Sequence, residues 1–137
     1  MRLLFLIIFI WSTTIYADFS KSGDIVKDNT TNLKWQDSKR VMISKWKHAT
    51  LYCGELSLNG YKDWRLPTIK ELNTLIDDSK AKDTIYSPFI PTSKIYWSAT
   101  PVQGDRQFSW SVNFSDSLTQ NADKTFLHAL KCVRGGK

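Results

Sequence analysis

The residues able to do covalent or metal chemistry are few: two cysteines, Cys53 and Cys132, and two histidines, His48 and His128. Together they allow three outcomes. All four side chains converging would hold zinc. A cysteine activated by a histidine would be a nucleophile. Two cysteines alone would close a disulfide. His48 and Cys53 fall on one predicted helix at a spacing that turns their side chains about 140° apart, which speaks against a shared metal. A nucleophile needs a free thiolate, so the compartment decides between the remaining two.

The N-terminus indicates that compartment. Met1-Arg2 is a short positive region, Leu3 to Trp11 is an unbroken apolar run, and Ile15-Tyr16-Ala17 ends in a small residue before Asp18. This is the order of a secretory signal. The apolar run is shorter than the roughly 20 residues a spanning helix needs. A signal peptide is therefore predicted over residues 1–17 and a single domain over 18–137, with no membrane span after cleavage. Its address is the periplasm, the cell surface or the extracellular medium. An even pair of cysteines in an oxidising compartment is bridged by default, so Cys53 and Cys132 read as structural. A loop of this length contributes roughly 4 kcal/mol on the chain-entropy model.

The remaining candidates are polar and aromatic. Asp63, Arg65 and Glu71 flank Trp64. They read as a structural polar group in which Arg65 pairs with an acid and pins the next helix, since buried charges are usually paired. Trp97, with Ser98 and the Ser109/Ser111/Asn113 face, is a candidate sugar platform. Lys34, Lys39, Arg40, Lys45 and Lys47 cluster before and within the first predicted helix, and Lys124, Lys131, Arg134 and Lys137 near the C-terminus. If a disulfide draws these regions together, the two groups can merge into one anion-binding patch. The expected ligand contacts are Lys45, Lys47, Lys131, Arg134, Trp97 and Asn113. The full chain carries a net charge of +6, and loss of Arg2 lowers it by one. Such an excess suits acidic polysaccharide or lipid head groups, with nucleic acid the least suited partner outside the cytoplasm. No phosphate-binding glycine loop, metal-ligand cluster or nucleophile motif is present, so no enzyme activity, cofactor or metal is expected.

Periodicity supplies the elements that must hold these residues. Ile25–Asp28 and Leu33–Gln36 flank a turn-rich Asn-Thr-Thr-Asn and read as a hairpin. Ser44 reads as the N-cap of a helix running to about Leu56, its buried stripe made by Trp46, Ala49, Tyr52, Cys53 and Leu56. Asn59-Gly60 is a turn. Thr68-Ile69-Lys70-Glu71 is a capping box opening a second helix with Ile69, Leu72, Leu75 and Ile76 on its apolar side. Asp77-Asp78 ends it, and a long loop follows to Lys94, a length often associated with function. Phe108 to Ser115 alternates, predicting Phe108, Trp110, Val112 and Phe114 inward and the serines outward. Tyr96–Thr100 is its neighbour. Phe126 to Val133 reads as a central strand with His128 and Cys132 on one face. The order is that of an α+β domain.

In this order, Leu33-Lys34-Trp35-Gln36, Tyr52-Cys53, Gly60 to Thr68 with its Asp63-Trp64-Arg65-Leu66-Pro67 run, Glu71-Leu72, Tyr96-Trp97-Ser98, Trp110 to Asp116 and Cys132-Val133-Arg134 resemble the bacterial domain of unknown function 1566. That domain is also met as the C-terminal domain of a collagen-like adhesin. The resemblance implies a C-type-lectin-like fold, with two helices on antiparallel sheets and a disulfide from the first helix to the last strand. It also implies surface attachment through sulphated glycosaminoglycans. This chain lacks the collagen-like stalk and the Glu-Pro-Asn type of motif of calcium-dependent lectins, and Asn113 and Asp116 correspond only loosely to their amide–acid pair. The resulting expectation is an exported binding module for acidic or sulphated polysaccharide. The alternative is a structural or protein-interaction module of a periplasmic or cell-surface assembly.

Overall fold

The computed structural model describes residues 7–11 and 17–136. Most of the candidate signal segment and the C-terminal Lys137 lie outside them. Nine strands and two helices follow one another among the described residues: β1 (Phe19–Ser22), β2 (Ile25–Asp28), β3 (Lys34–Gln36), β4 (Met42–Ser44), α1 (Trp46–Glu55), α2 (Ile69–Asn73), β5 (Ile95–Val102), β6 (Asp105–Asn113), β7 (Leu118–Asp123), β8 (His128–Leu130) and β9 (Val133–Arg134). They form an α+β domain of two sheets, ordered β1-β2-β3-β9 and β4-β8-β5-β6-β7. The pairings are antiparallel except for β5 with β8, joined in parallel at Tyr96 and Ala129. None of the described helices is long and apolar enough to cross a membrane.

The predicted hairpin forms as β2 and β3, with Val26 opposite Trp35. β1, too polar to announce itself, pairs on the outer side of β2. One apolar cluster gathers Val26, Trp35, Leu72, Phe89, Tyr96, Val112 and Phe114 between the sheets and α2. A second gathers Ala49, Cys53, Trp64, Leu66, Trp97 and Cys132 beneath α1. The Cys53–Cys132 disulfide closes within this second cluster across 79 residues, tying α1 to the residue that leads into the last strand. Neither cysteine keeps a thiol for metal or nucleophilic chemistry.

Several expectations are corrected. Ser44 ends β4 instead of capping α1; its hydroxyl donates to the Lys45 carbonyl, and Lys45 occupies the N-cap without a side-chain cap. The capping box of α2 forms as expected. Its helix nevertheless stops at Asn73, because the Thr74 hydroxyl takes the Glu71 carbonyl at 2.6 Å and Leu75 and Ile76 turn more tightly, onto carbonyls three residues back. The long segment from Asp77 to Lys94 is largely packing material, burying Thr84, Ile85 and Phe89.

The alternation of β6 has the right period and the wrong sign at one end. Ser109 and Ser111 are fully buried, whereas Phe108 and Trp110 are only half-buried. A register shift in β5 between Trp97 and Pro101 explains it. The irregular backbone leaves inward carbonyls that need donors, and the small hydroxyl of Ser109 reaches those of Ser98 and Thr100, at 3.1 and 2.8 Å. Ser111 donates to the Gln120 carbonyl. A serine satisfied this way is cheaply buried.

The predicted strand from Phe126 to Val133 is divided. Phe126 and Leu127 are exposed, at 58% and 64%. Only His128–Leu130 joins the large sheet, and Val133–Arg134 joins the small one. The link between them is drawn inward by polar contacts. Lys131 donates to the Gln36 carbonyl and to Asp37, and the Gln36 amide donates to the Cys132 carbonyl. His128, half-buried, meets the edge of Trp97 at 4.8 Å between ring centroids; it does not share a strand with Cys132.

Candidate functional site

The junction of β4 and α1 carries a candidate binding surface. Lys45 is extended, and the Trp46 amide beginning α1 donates to the Lys124 carbonyl at 3.2 Å. That contact ties α1 to the turn after β7. The turn itself is set by Asp123, whose carboxylate accepts from the Thr125 amide and hydroxyl at 2.9 and 2.8 Å. These hydrogen bonds also hold the Asp123 carboxyl below its ordinary pKa. The Trp46 indole N–H donates to the bulge carbonyl of Ser98 at 2.9 Å, which fixes the ring. Lys124 Nζ then lies 4.2 Å from the ring centroid, within cation–π range.

The result is an open groove of about 610 Å³ lined by Lys45, Trp46, Lys47, His48, Gln107, Lys124 and Thr125. Three lysines line it, and among the described residues no carboxylate does. Gln107 and Thr125 add an amide and a hydroxyl. Chemically, this suits an anionic, polyhydroxylated ligand.

The predicted ligand contacts are dispersed. Lys45 and Lys47 line the groove. Lys131 is withdrawn, 7% exposed, with Nζ 2.9 Å from Asp37. Burial lowers the Lys131 pKa against the opposing pull of Asp37. Burial alone would raise the Asp37 carboxyl, but the Lys131 charge and the hydrogen bonds from Lys21, Lys131 and Ile90 outweigh it and hold it down. Trp97 is wholly buried, its indole N–H donating to the Ser44 carbonyl, so it offers no face to a sugar. Asn113 closes a local turn by accepting from the Ser115 amide and hydroxyl.

Arg134 belongs to a second cationic group. Its guanidinium lies 3.6 Å from the Tyr61 ring centroid and holds Asp63 through two bonds, at 2.6 and 3.0 Å. Lys34, opposite Arg134 on β3, reaches the Tyr61 hydroxyl at 3.2 Å. Lys45 and Lys47 therefore meet Lys124 in one place, and Lys34 meets Arg134 in another, instead of all merging into a single patch. Arg65 grips Glu71 with a two-pronged pair at 2.7 and 2.8 Å and donates to the Gly135 carbonyl. The acid that Arg65 pairs with is thus Glu71, while Asp63 serves Arg134. Lys124 is expected only as one of the wider C-terminal basic group, and Trp46, Gln107 and Thr125 are not among the expected contacts. The Asp123-Lys124-Thr125 turn signal could have placed Lys124 at a fixed surface position.

Groove, clasp and sheet order together define a small, disulfide-closed α+β module with a cationic surface groove. Residues 24–134 match the family model described as the Lcl C-terminal domain, and the chain belongs to that family. No curated protein matches the sequence significantly.

Proposed function

We propose that this chain is an exported, non-catalytic binding module that holds acidic or sulphated polysaccharide in the groove at the start of α1. The carrying observation is one groove lined by Lys45, Lys47 and Lys124, with Lys124 held over the fixed indole of Trp46. The ammonium groups meet carboxylate or sulphate, and the amide and hydroxyl of Gln107 and Thr125 meet sugar hydroxyls. Bridging of both cysteines supports a binding role over thiol chemistry. The clasp between α1 and the last strand supports the C-type-lectin-like reading, and the resemblance to an adhesin domain supports a role in surface attachment.

Retention of the oxidised protein on immobilised heparin tests this. The triple variant Lys45→Ala/Lys47→Ala/Lys124→Ala is expected to elute at clearly lower salt than wild type. The control Lys27→Ala/Lys62→Ala/Lys82→Ala removes the same charge from exposed positions outside the groove lining. Equal loss in both variants would reduce the interaction to general basicity. The second reading, a protein-interaction module of a periplasmic or cell-surface assembly, is favoured by β4, which among the described residues pairs with a strand on one side only.

A further inference from the structure

Each sheet edge exposes backbone groups able to pair with another strand, and β4 differs from the others. It has β8 on one side and, among the described residues, no strand on the other, although the Ser44 carbonyl already accepts from the Trp97 indole. β7, the opposite edge, reads Leu-Thr-Gln-Asn-Ala-Asp and is mostly polar, and β1 reads Phe-Ser-Lys-Ser. On β4 the pleat sends Ile43 to one face and Met42 and Ser44 to the other, and each face carries a hollow. Ile43, Ile95, Leu127 and Ala129 line one of about 290 Å³. Met42, Leu51, Tyr52 and Leu130 line the other, of about 280 Å³. Ile43, Leu51 and Leu127 remain 49%, 50% and 64% exposed.

An unpaired edge with an apolar hollow on each face has the geometry of strand addition, in which backbone bonds give affinity and alternate side chains fill the hollows. Charge identifies the occupant. Lys39 and Arg40 precede β4, Lys45 and Lys47 follow it, and Lys94 borders the first hollow, against Glu55 on the second. We propose that β4 is a docking edge for an extended segment of a partner protein that alternates apolar residues and carries Asp or Glu at its ends. A second copy of this chain fits less well, because it would set these cations against their own kind. The proposal does not rest on the polysaccharide reading.

Selection of phage-displayed dodecapeptides against the oxidised protein, followed by titration of the enriched peptides, tests it. Enrichment of alternating apolar sequences with acidic ends is expected. Ile43→Ser and Leu127→Ser should each weaken binding by about tenfold or more, the value of one filled apolar pocket. Leu118→Ser on β7 should leave it unchanged, and proline placed in turn at two adjacent central peptide positions should abolish it at the one whose N–H faces β4. These neutral substitutions leave the surrounding charge alone, and the residues are exposed enough to be replaced without unfolding. The proposal is overturned if no such peptides are enriched. It is equally overturned if binding ignores both variants or both prolines, or if Leu118→Ser weakens it as much. Concentration-dependent self-association lost in Ile43→Ser would assign the edge to a second copy and also overturn it.

Discussion

Replacing Asp37 by alanine removes one acceptor from three donors at once. Lys131 Nζ loses a partner at 2.9 Å, Lys21 Nζ one at 2.6 Å, and the Ile90 amide one at 3.1 Å. Lys131 then retains only the Gln36 carbonyl at 3.0 Å and the faces of Phe89 and Tyr96, with centroids 5.3 and 5.9 Å away. Deleting one partner of a buried ion pair costs about 3–5 kcal/mol, because the other charge stays buried. The partly exposed Lys21 adds at most about 1 kcal/mol. The expected loss is therefore about 3–6 kcal/mol, a large share of the roughly 5–15 kcal/mol that holds a typical domain together. Lys131→Met should cost less, about 1–2 kcal/mol, since Asp37 keeps Lys21 and the Ile90 amide. The double variant should be more stable than Asp37→Ala alone. Urea unfolding followed by tryptophan fluorescence reads all three, provided the m-value stays constant. If Asp37→Ala costs no more than Lys21→Ala, or the double variant recovers nothing, the buried-charge reasoning fails.

Other outcomes follow from the same structure. Cys53→Ala/Cys132→Ala should lose about 4 kcal/mol on the chain-entropy model, visible as a lower urea midpoint; an unchanged midpoint would deny the clasp its role. Thr68→Ala removes the side-chain half of the capping box and should cost about 1 kcal/mol in the same assay. Arg65→Lys keeps the charge but loses the two-pronged grip on Glu71; at a partly exposed site about 1 kcal/mol is expected. Burial alone would raise the Glu71 carboxyl, but hydrogen bonds from Arg65 and Thr68 outweigh it and hold it below its ordinary value, as others do for Asp37. Their contribution is complete above the unfolded carboxylate pKa of about 4 and drains away as pH falls through the lower folded values. The urea midpoint should fall on acidification below about pH 4, and less steeply in Glu71→Gln.

Local chemistry was legible in the sequence wherever a segment settles its own structure. The turn between Asp28 and Leu33, the Thr68–Glu71 capping box and the buried stripe carrying Cys53 are of that kind. What stayed hidden depends on distant partners. Ser109 can go inside only because the backbone shift at Ser98–Thr100 on another strand presents carbonyls to it. Lys131 looks like surface charge until Asp37, almost a hundred residues away, is set beside it. The groove was half visible for the same reason. Lys45 and Lys47 belong to one segment, whereas Lys124 arrives through the β7 turn.

The pairing of β3 with β9 and the bridge from Cys53 to Cys132 also have a consequence in time. A ribosome delivers Cys53 first and its partner 79 residues later, a wait of roughly 4–16 s at about 5–20 residues per second. During that wait β3 has β2 beside it but lacks β9, and one thiol has nothing to join. A chain broken off before Cys132 stays in that condition permanently. Only a chain that has reached β9 can hide both these thiols and seal its first sheet.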